Sequence, residues 1–206
     1  MNEKFFELSK EKQRRIINAS MEVFGKNEYK RAITDEIATR AGISKGLLFY
    51  YFKNKRALYL YIYQYCLDLM QEFMKDEDIA EISDFFDIMD YGAQKKMGIL
   101  CEYPYIMEFV MRAFYSQHEE FSDFLAKDVQ EKMALSYQQY FSHIDFTRFK
   151  EDVDPEYIFL MLQWMMDGYL HGKMSLKEPL DLNEMMETFH KWEVYFKKMA
   201  YKEEYQ

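Results

Sequence analysis

The sequence predicts an all-α protein, and three observations carry that reading. Three prolines and seven glycines in 206 residues leave too few turn-formers for a chain of short strands. Apolar residues recur at three- and four-residue spacing through nearly the whole length. A Ser, Thr, Asn or Asp stands ahead of several of these runs, where a new helix needs a side-chain oxygen for its free amides.

Taken in order, the first helix is expected over about 10–25, capped by Ser9, with Ile16, Ala19, Val23 and Phe24 on one face and Gly25 as its stop. Thr34 caps a second helix, whose Asp35 and Glu36 complement the positive end of its dipole. Gly42 ends that helix. Ser44 caps a third over about 45–51, and the chain breaks again at Lys53-Asn54. Asn54 caps a fourth, running to about Lys75 and roughly 33 Å long at the usual helical rise. Later helices are expected over about 78–100, 104–117, 119–142, 156–174 and 181–202, for about nine in all. Pro104 and Pro155 suit first helical turns, with Asp154 as a cap.

Composition narrows the function classes. No apolar run reaches the roughly 18 residues of a membrane span, and the stretch MNEKFFELSKEK has no apolar signal region. Cys66 and Cys101 sit alone in helical patterns, without disulfide or ligand spacing, so a reduced, cytoplasmic protein is expected. The histidines, His118, His143, His171 and His190, have no metal-ligand spacing, and no phosphate loop or nucleophile elbow is present. Neither an enzyme nor a cofactor or metal is expected. The net charge of −9 is divided: residues 1–56 hold 13 Lys+Arg against 7 Asp+Glu, the rest 14 against 29. A basic end on an acidic body points to a polyanion partner at one end.

The segment TDEIATRAGISKGLLFYYFKNK, residues 34–55, meets the steric needs of a helix-turn-helix. Ala38 is small where the second helix crosses the first, and Gly42 stands four residues later, where a side chain would crowd the turn. Ile37, Ala41, Ile43 and Leu48 lock the pair, with Ile16 and Phe24 closing the core from below.

That segment, extended to ITDEIATRAGISKGLLFYYFKNKRALY, resembles the TetR family of bacterial transcriptional regulators over about residues 10–60. The residues in register are Thr34, Ile37, Ala38, Ala41, Gly42, Ser44, Gly46, Phe52, Lys55 and Leu58. The resemblance implies residues 1–55 as a three-helix DNA-binding domain, with the fourth helix entering an effector-binding and dimerisation domain, residues 56–206. The third helix is then the one that enters the major groove, with Lys45, Gly46, Leu47 and Tyr51 nearest base edges; packing at the junction with the fourth helix is the competing reading for Phe49 and Tyr51. Thr34, Ser44, Tyr50 and Lys55 are placed for phosphates. Lys10, Lys12, Arg14, Arg15, Lys30 and Arg31 add sequence-blind attraction. Two positions depart from the family pattern: Phe49 replaces a usual tyrosine, and Leu47 a usual Thr or Ser, which points to apolar readout there.

In the acidic body the 156–174 segment is apolar nearly all round, as expected of a helix covered on both sides. By resemblance the last two helices form a twofold interface, with Met161, Gly168, Gly172, Met185, Phe189, Trp192 and Phe196 at the contact. Sixteen methionines and many aromatic residues give a deformable interior for a small apolar or amphipathic effector. Candidate lining residues are Tyr91, Met107, Glu108, Met111, Phe114, Tyr137, Phe141, Trp164, Met165 and Asp167; ordinary core is the competing reading for each. Glu108 with Arg112 and Asp167 with His171 are spaced for intrahelical pairs. The resulting expectation is a homodimeric repressor of a palindromic operator, released by its effector. The alternative is a ligand-independent regulator or activator whose C-terminal domain only dimerises.

Overall fold

The computed structural model describes residues 2–73, 79, 81–115, 141–176 and 178–206, without the side chains of residues 70, 71, 73, 114, 115 and 174. Among these the fold is all-α, with eight α-helices: α1 Lys10–Lys26, α2 Thr34–Ala41, α3 Lys45–Phe52, α4 Lys55–Phe73, α5 Phe85–Glu102, α6 Ile106–Tyr115, α7 Pro155–Ser175 and α8 Leu182–Ala200. The helix expected over 119–142 lies almost wholly outside the described residues. The fifth helix starts at Phe85 rather than near 78, because Asp84 caps it: its Oδ1 accepts from the amides of Phe86 and Asp87 at 2.9 and 3.1 Å.

The other caps follow the sequence closely. Ser9 Oγ accepts from Lys12 N–H at 3.4 Å, Ser44 Oγ from Leu47 at 3.1 Å, Asn54 Oδ1 from Ala57 at 2.8 Å and Asp154 Oδ1 from Glu156 at 2.9 Å. Thr34 differs. It is the first helical residue of α2, and Ile33 before it offers no side-chain cap.

The chain divides into two compact units, the first made of Met1–Asp76 and Gly98–Gln139. The boundary expected at residues 55/56 falls inside it. Its core joins Ile16 and Phe24 of α1, Ile37, Ala38 and Ala41 of α2, and Leu48 and Phe52 of α3, all nearly or fully buried. A short 3-10 turn, Glu3–Phe5, adds a residue that periodicity does not announce. Phe5 is fully buried, its ring 4.9 Å from Phe52 and 5.5 Å from Tyr61.

Gly25 does not stop α1, which runs on to Lys26 with Asn27 as its C-cap. Its role is close approach: a Cβ there would lie 3.0 Å from both Glu108 Cβ and the Phe109 backbone nitrogen of α6. Helix propensity alone favours Gly25→Ala by about 1 kcal/mol. The backbone contact outweighs that, because α6 cannot yield as a side-chain tip would. Gly25→Ala is expected to destabilise the protein by about 1–3 kcal/mol, read as a lower urea midpoint; a raised midpoint would show that α1 and α6 separate freely.

Glu22 ties α1 to α2, its Oε1 accepting from Lys26 Nζ at 2.7 Å and Arg40 Nη1 at 2.8 Å. Burial would raise its carboxyl pKa, but Lys26 and Arg40 outweigh burial and hold it below the usual range.

The second unit comprises Glu77–Met97 and Tyr140–Gln206. Phe85, Phe86, Phe141, Phe149 and Tyr201 form its aromatic centre, with Phe149 and Tyr201 centroids 4.8 Å apart. These two residues also form an isolated antiparallel bridge. Asp84 Oδ2 accepts from Arg148 at 2.6 Å, and Tyr201 Oη accepts from Phe85 N–H at 3.2 Å, so the α5 start is anchored to both later segments. Along the α7–α8 pair, Lys173 meets Glu184 at 3.1 Å and the Tyr169 and Trp192 rings lie 6.3 Å apart.

Candidate nucleic-acid interface

Gly42 sets the geometry of the α2–α3 turn. It adopts the left-handed conformation, φ 67° and ψ 37°, which a side chain resists. Its amide donates to the Thr39 carbonyl at 3.1 Å and the next amide, Ile43, reaches back to Ala38 at 3.0 Å. This is the paired closure of a Schellman end, and it turns the chain sharply into Ser44.

From there α3 sorts its side chains by spacing. Leu48, Tyr51 and Phe52 are buried, at the i, i+3, i+4 positions of an inward stripe. Lys45, Gly46 and Tyr50 are exposed, and Leu47 and Phe49 are half-buried. Three of the four residues expected at base edges therefore remain available: Lys45, Gly46 and Leu47. Tyr51 does not. It is 5 % exposed, and its ring packs 5.8 Å from Phe5. The reason is its place three residues after Leu48, on the face that α3 needs for its core. Tyr50 carries the exposed hydroxyl-bearing ring instead.

Lys45 Nζ lies 2.9 Å from Asp35 Oδ1 across the turn, a pair open to solvent on both sides. Exposed pairs of this kind contribute about 0–1 kcal/mol, so Asp35 holds the ammonium only weakly. Gly46 meets only Ser44 Oγ, 3.9 Å from where a Cβ would be, so the helix backbone is open to close approach. Ser44 and Thr34 mark the starts of α3 and α2, where unpaired amides attract phosphate.

Lys55 is less available than the sequence suggests. Its Nζ donates to the Lys30 carbonyl at 3.2 Å and sits 4.8 Å above the Tyr29 ring. That fixes the start of α4 against the loop after α1. Lys53, just before it, has φ 64° and centres a tight turn closed by Asn54 N–H on the Phe52 carbonyl at 2.8 Å.

The expected effector residues are divided between the units. Met107, Glu108, Met111 and Phe114 belong to the first; Tyr91, Phe141, Trp164, Met165 and Asp167 to the second; Tyr137 lies outside the described residues. Met111 and Phe141 are buried, Phe141 stacked on Phe85 at 5.1 Å. Trp164 is 55 % exposed and faces outward, against its expected place in a pocket. Arg112 does not pair with Glu108; its Nε donates to the Gly25 carbonyl. A shallow cleft of about 210 Å³ is lined by Arg14, Arg15, Asn18, Glu22, Arg40 and Tyr105, none of them an expected effector residue.

The expected contact residues of the last two helices also divide. Met185 and Phe189 are buried within their own chain, so the stripe expected to meet a partner is α8's inner face. Met161, Gly172, Trp192 and Phe196 are half-buried and Gly168 is exposed. The outward apolar residues are Tyr157 and Trp164 on α7, and Val194, Tyr195 and Met199 on α8. The Tyr169–Trp192 contact sets the Met185–Phe189 side of α8 against α7.

Comparison with known proteins bears on the same segment. The family model for bacterial regulatory proteins of the tetR family matches residues 16–62. Over 72 residues the chain is 39% identical to an uncharacterized HTH-type transcriptional regulator, YerO, of Bacillus subtilis, covering 34% of this chain and 25% of that one. Over another 72-residue match it is 33% identical to a fatty acid metabolism regulator protein of the same organism, covering 34% and 36%. The matches thus span between a quarter and about a third of these relatives' lengths. A TetR family transcriptional regulator from Chloroflexus aurantiacus has a similar fold over 98% of both chains, with a TM-score of 0.66 and 19% identity. Among the described residues no helix is long and apolar enough to cross a membrane.

Proposed function

We propose that this chain, whose residues 16–62 match the family model for bacterial regulatory proteins of the tetR family, is a transcriptional regulator that binds duplex DNA through α3. The observation that carries this is the sorting of α3: a fully buried inner stripe under an outer face of Lys45, Gly46 and Tyr50, presented by the Gly42 turn. That face combines a cationic donor, an open backbone and a phenol, the means by which a helix reads a major groove.

It acts as a homodimer on an inverted repeat. The exposed large apolar side chains of Tyr157 and Trp164 on α7 and of Val194, Tyr195 and Met199 on α8 support this, since a partner would take them out of water. A small apolar or amphipathic effector bound outside the DNA-binding domain releases it from the operator; a relative that regulates fatty acid metabolism supports that chemical class. Such release requires the effector to bind the non-operator conformation more tightly.

Selection of bound duplexes from a random pool tests the reading. The expected product is an inverted repeat with half-sites about one helical turn apart. Loss of the enriched duplexes on adding long-chain acyl compounds would mark the effector class. A pool that shows no enrichment would overturn the regulator reading.

A further inference from the structure

The second unit gathers Asp90 of α5 with His190 and Glu193 of α8, about a hundred residues apart in sequence. One donor atom from each lies within 4.8 Å of the other two. His190 and Glu193 are one helical turn apart, so both project from the same side of α8 toward α5. His190 Nδ1 is 3.7 Å from Glu193 Oε2.

Glu193 makes this more than a chance meeting of surface groups. It is 4 % exposed, and its Oε1 is buried and accepts no hydrogen bond among the described residues. A carboxylate in that position is costly, since it has lost water and gained no donor. Burial first, then the nearby charges of Asp90 and Asp87, push its pKa up to about 8, with Lys197 acting the other way. Lys197 is turned to other carboxylates, 3.5 Å from Asp84 and 3.8 Å from Asp87. Among the described residues, Gln94 Nε2 donates to Asp90 Oδ2 at 2.7 Å. The group therefore offers two carboxyl groups and an imidazole, with one Glu193 oxygen unmatched among the described residues.

We propose that Asp90, His190 and Glu193 form a binding site for a divalent transition-metal ion of the zinc type, joining α5 to α8. The donor set fits: one imidazole with two carboxylates suits zinc-like ions better than magnesium or calcium, which take oxygen alone. Tetrahedral ligands on zinc stand roughly 3.4 Å apart. The observed spread closes to that by side-chain rotation, because His190 is largely exposed and free to turn. Solvent completes the coordination on the His190 side. The ion supplies the charge that the Glu193 oxygen lacks, and it cross-links two helices that are distant in sequence.

The experiment is calorimetric titration of the full chain, stripped with chelator, against zinc chloride. One ion per chain is expected, with a rise in Tm that grows with zinc concentration. His190→Asn, Glu193→Gln and Asp90→Asn are each expected to weaken binding at least about tenfold, and His171→Asn to leave it unchanged. Should Glu193→Gln fail to fold, the exposed His190 and half-exposed Asp90 variants still decide the matter. Cobalt substituted for zinc should give visible absorption that His190→Asn abolishes. Absence of binding at millimolar zinc overturns the proposal. So does affinity unaltered in the His190 and Asp90 variants, or affinity lost only in His171→Asn.

Discussion

Phe5→Ala is expected to lower stability by about 3–5 kcal/mol and to weaken DNA binding with it. The ring is fully buried and lies within 6 Å of Phe6, Tyr51, Phe52 and Tyr61. Edge-to-face pairs of this kind contribute about 0.5–1.5 kcal/mol each beyond the buried area. Removing the ring leaves a cavity bounded by α3 and α4, whose walls are themselves rigid aromatics and cannot collapse to fill it. The same segment also finishes α3. Asn2 N–H donates to the Tyr51 carbonyl at 2.8 Å, and its Nδ2 to the Tyr50 carbonyl at 3.4 Å, satisfying acceptors that the helix end leaves open. Loosening Phe5 therefore frees the C-terminal turn of α3, including exposed Tyr50. Urea unfolding measures the first effect, with an unchanged slope if the variant stays two-state. Duplex affinity well below the variant's Tm measures the second. A loss under about 1 kcal/mol would mean that the N-terminal turn is not anchored in solution.

What the sequence disclosed follows from what local chemistry determines. Ser9, Ser44, Asn54 and Asp154 were legible as caps because a capping oxygen acts on amides two or three residues away. Gly42 was legible for a similar reason, its left-handed backbone being a local requirement of the turn. Tyr51 was not. Two adjacent tyrosines give the same composition, and only the stripe from Leu48 separates the buried ring from the exposed one. Gly25 was misread because a glycine near a helix end resembles a stop. Its true neighbour, the Glu108–Phe109 backbone, lies more than eighty residues away. Phe5 and the Asp90–His190–Glu193 group share this property. Their meaning arises from contacts between distant segments, which no window of the sequence contains.

The same distinction governs the test of DNA recognition. Lys45→Ala is expected to reduce affinity for the selected duplex by about tenfold to a hundredfold, equivalent to ~1–3 kcal/mol, and to relax preference at the base pair it faces. Tyr51→Phe is expected to change neither, since the buried ring keeps its packing without its hydroxyl. Asp35 refines the contrast. In the free protein it holds the Lys45 ammonium at 2.9 Å, so Asp35→Asn releases that donor and removes a negative charge from the approach to phosphate. Asp35→Asn should therefore bind all duplexes more tightly, while Lys45→Ala in that background restores the loss and leaves selectivity low. Measuring each variant against the selected and a scrambled duplex, across salt concentrations, separates readout from general attraction. Equal losses on both duplexes would make Lys45 a phosphate contact. A larger loss from Tyr51→Phe than from Lys45→Ala would mean that α3 turns over on binding, contrary to the buried stripe that holds it.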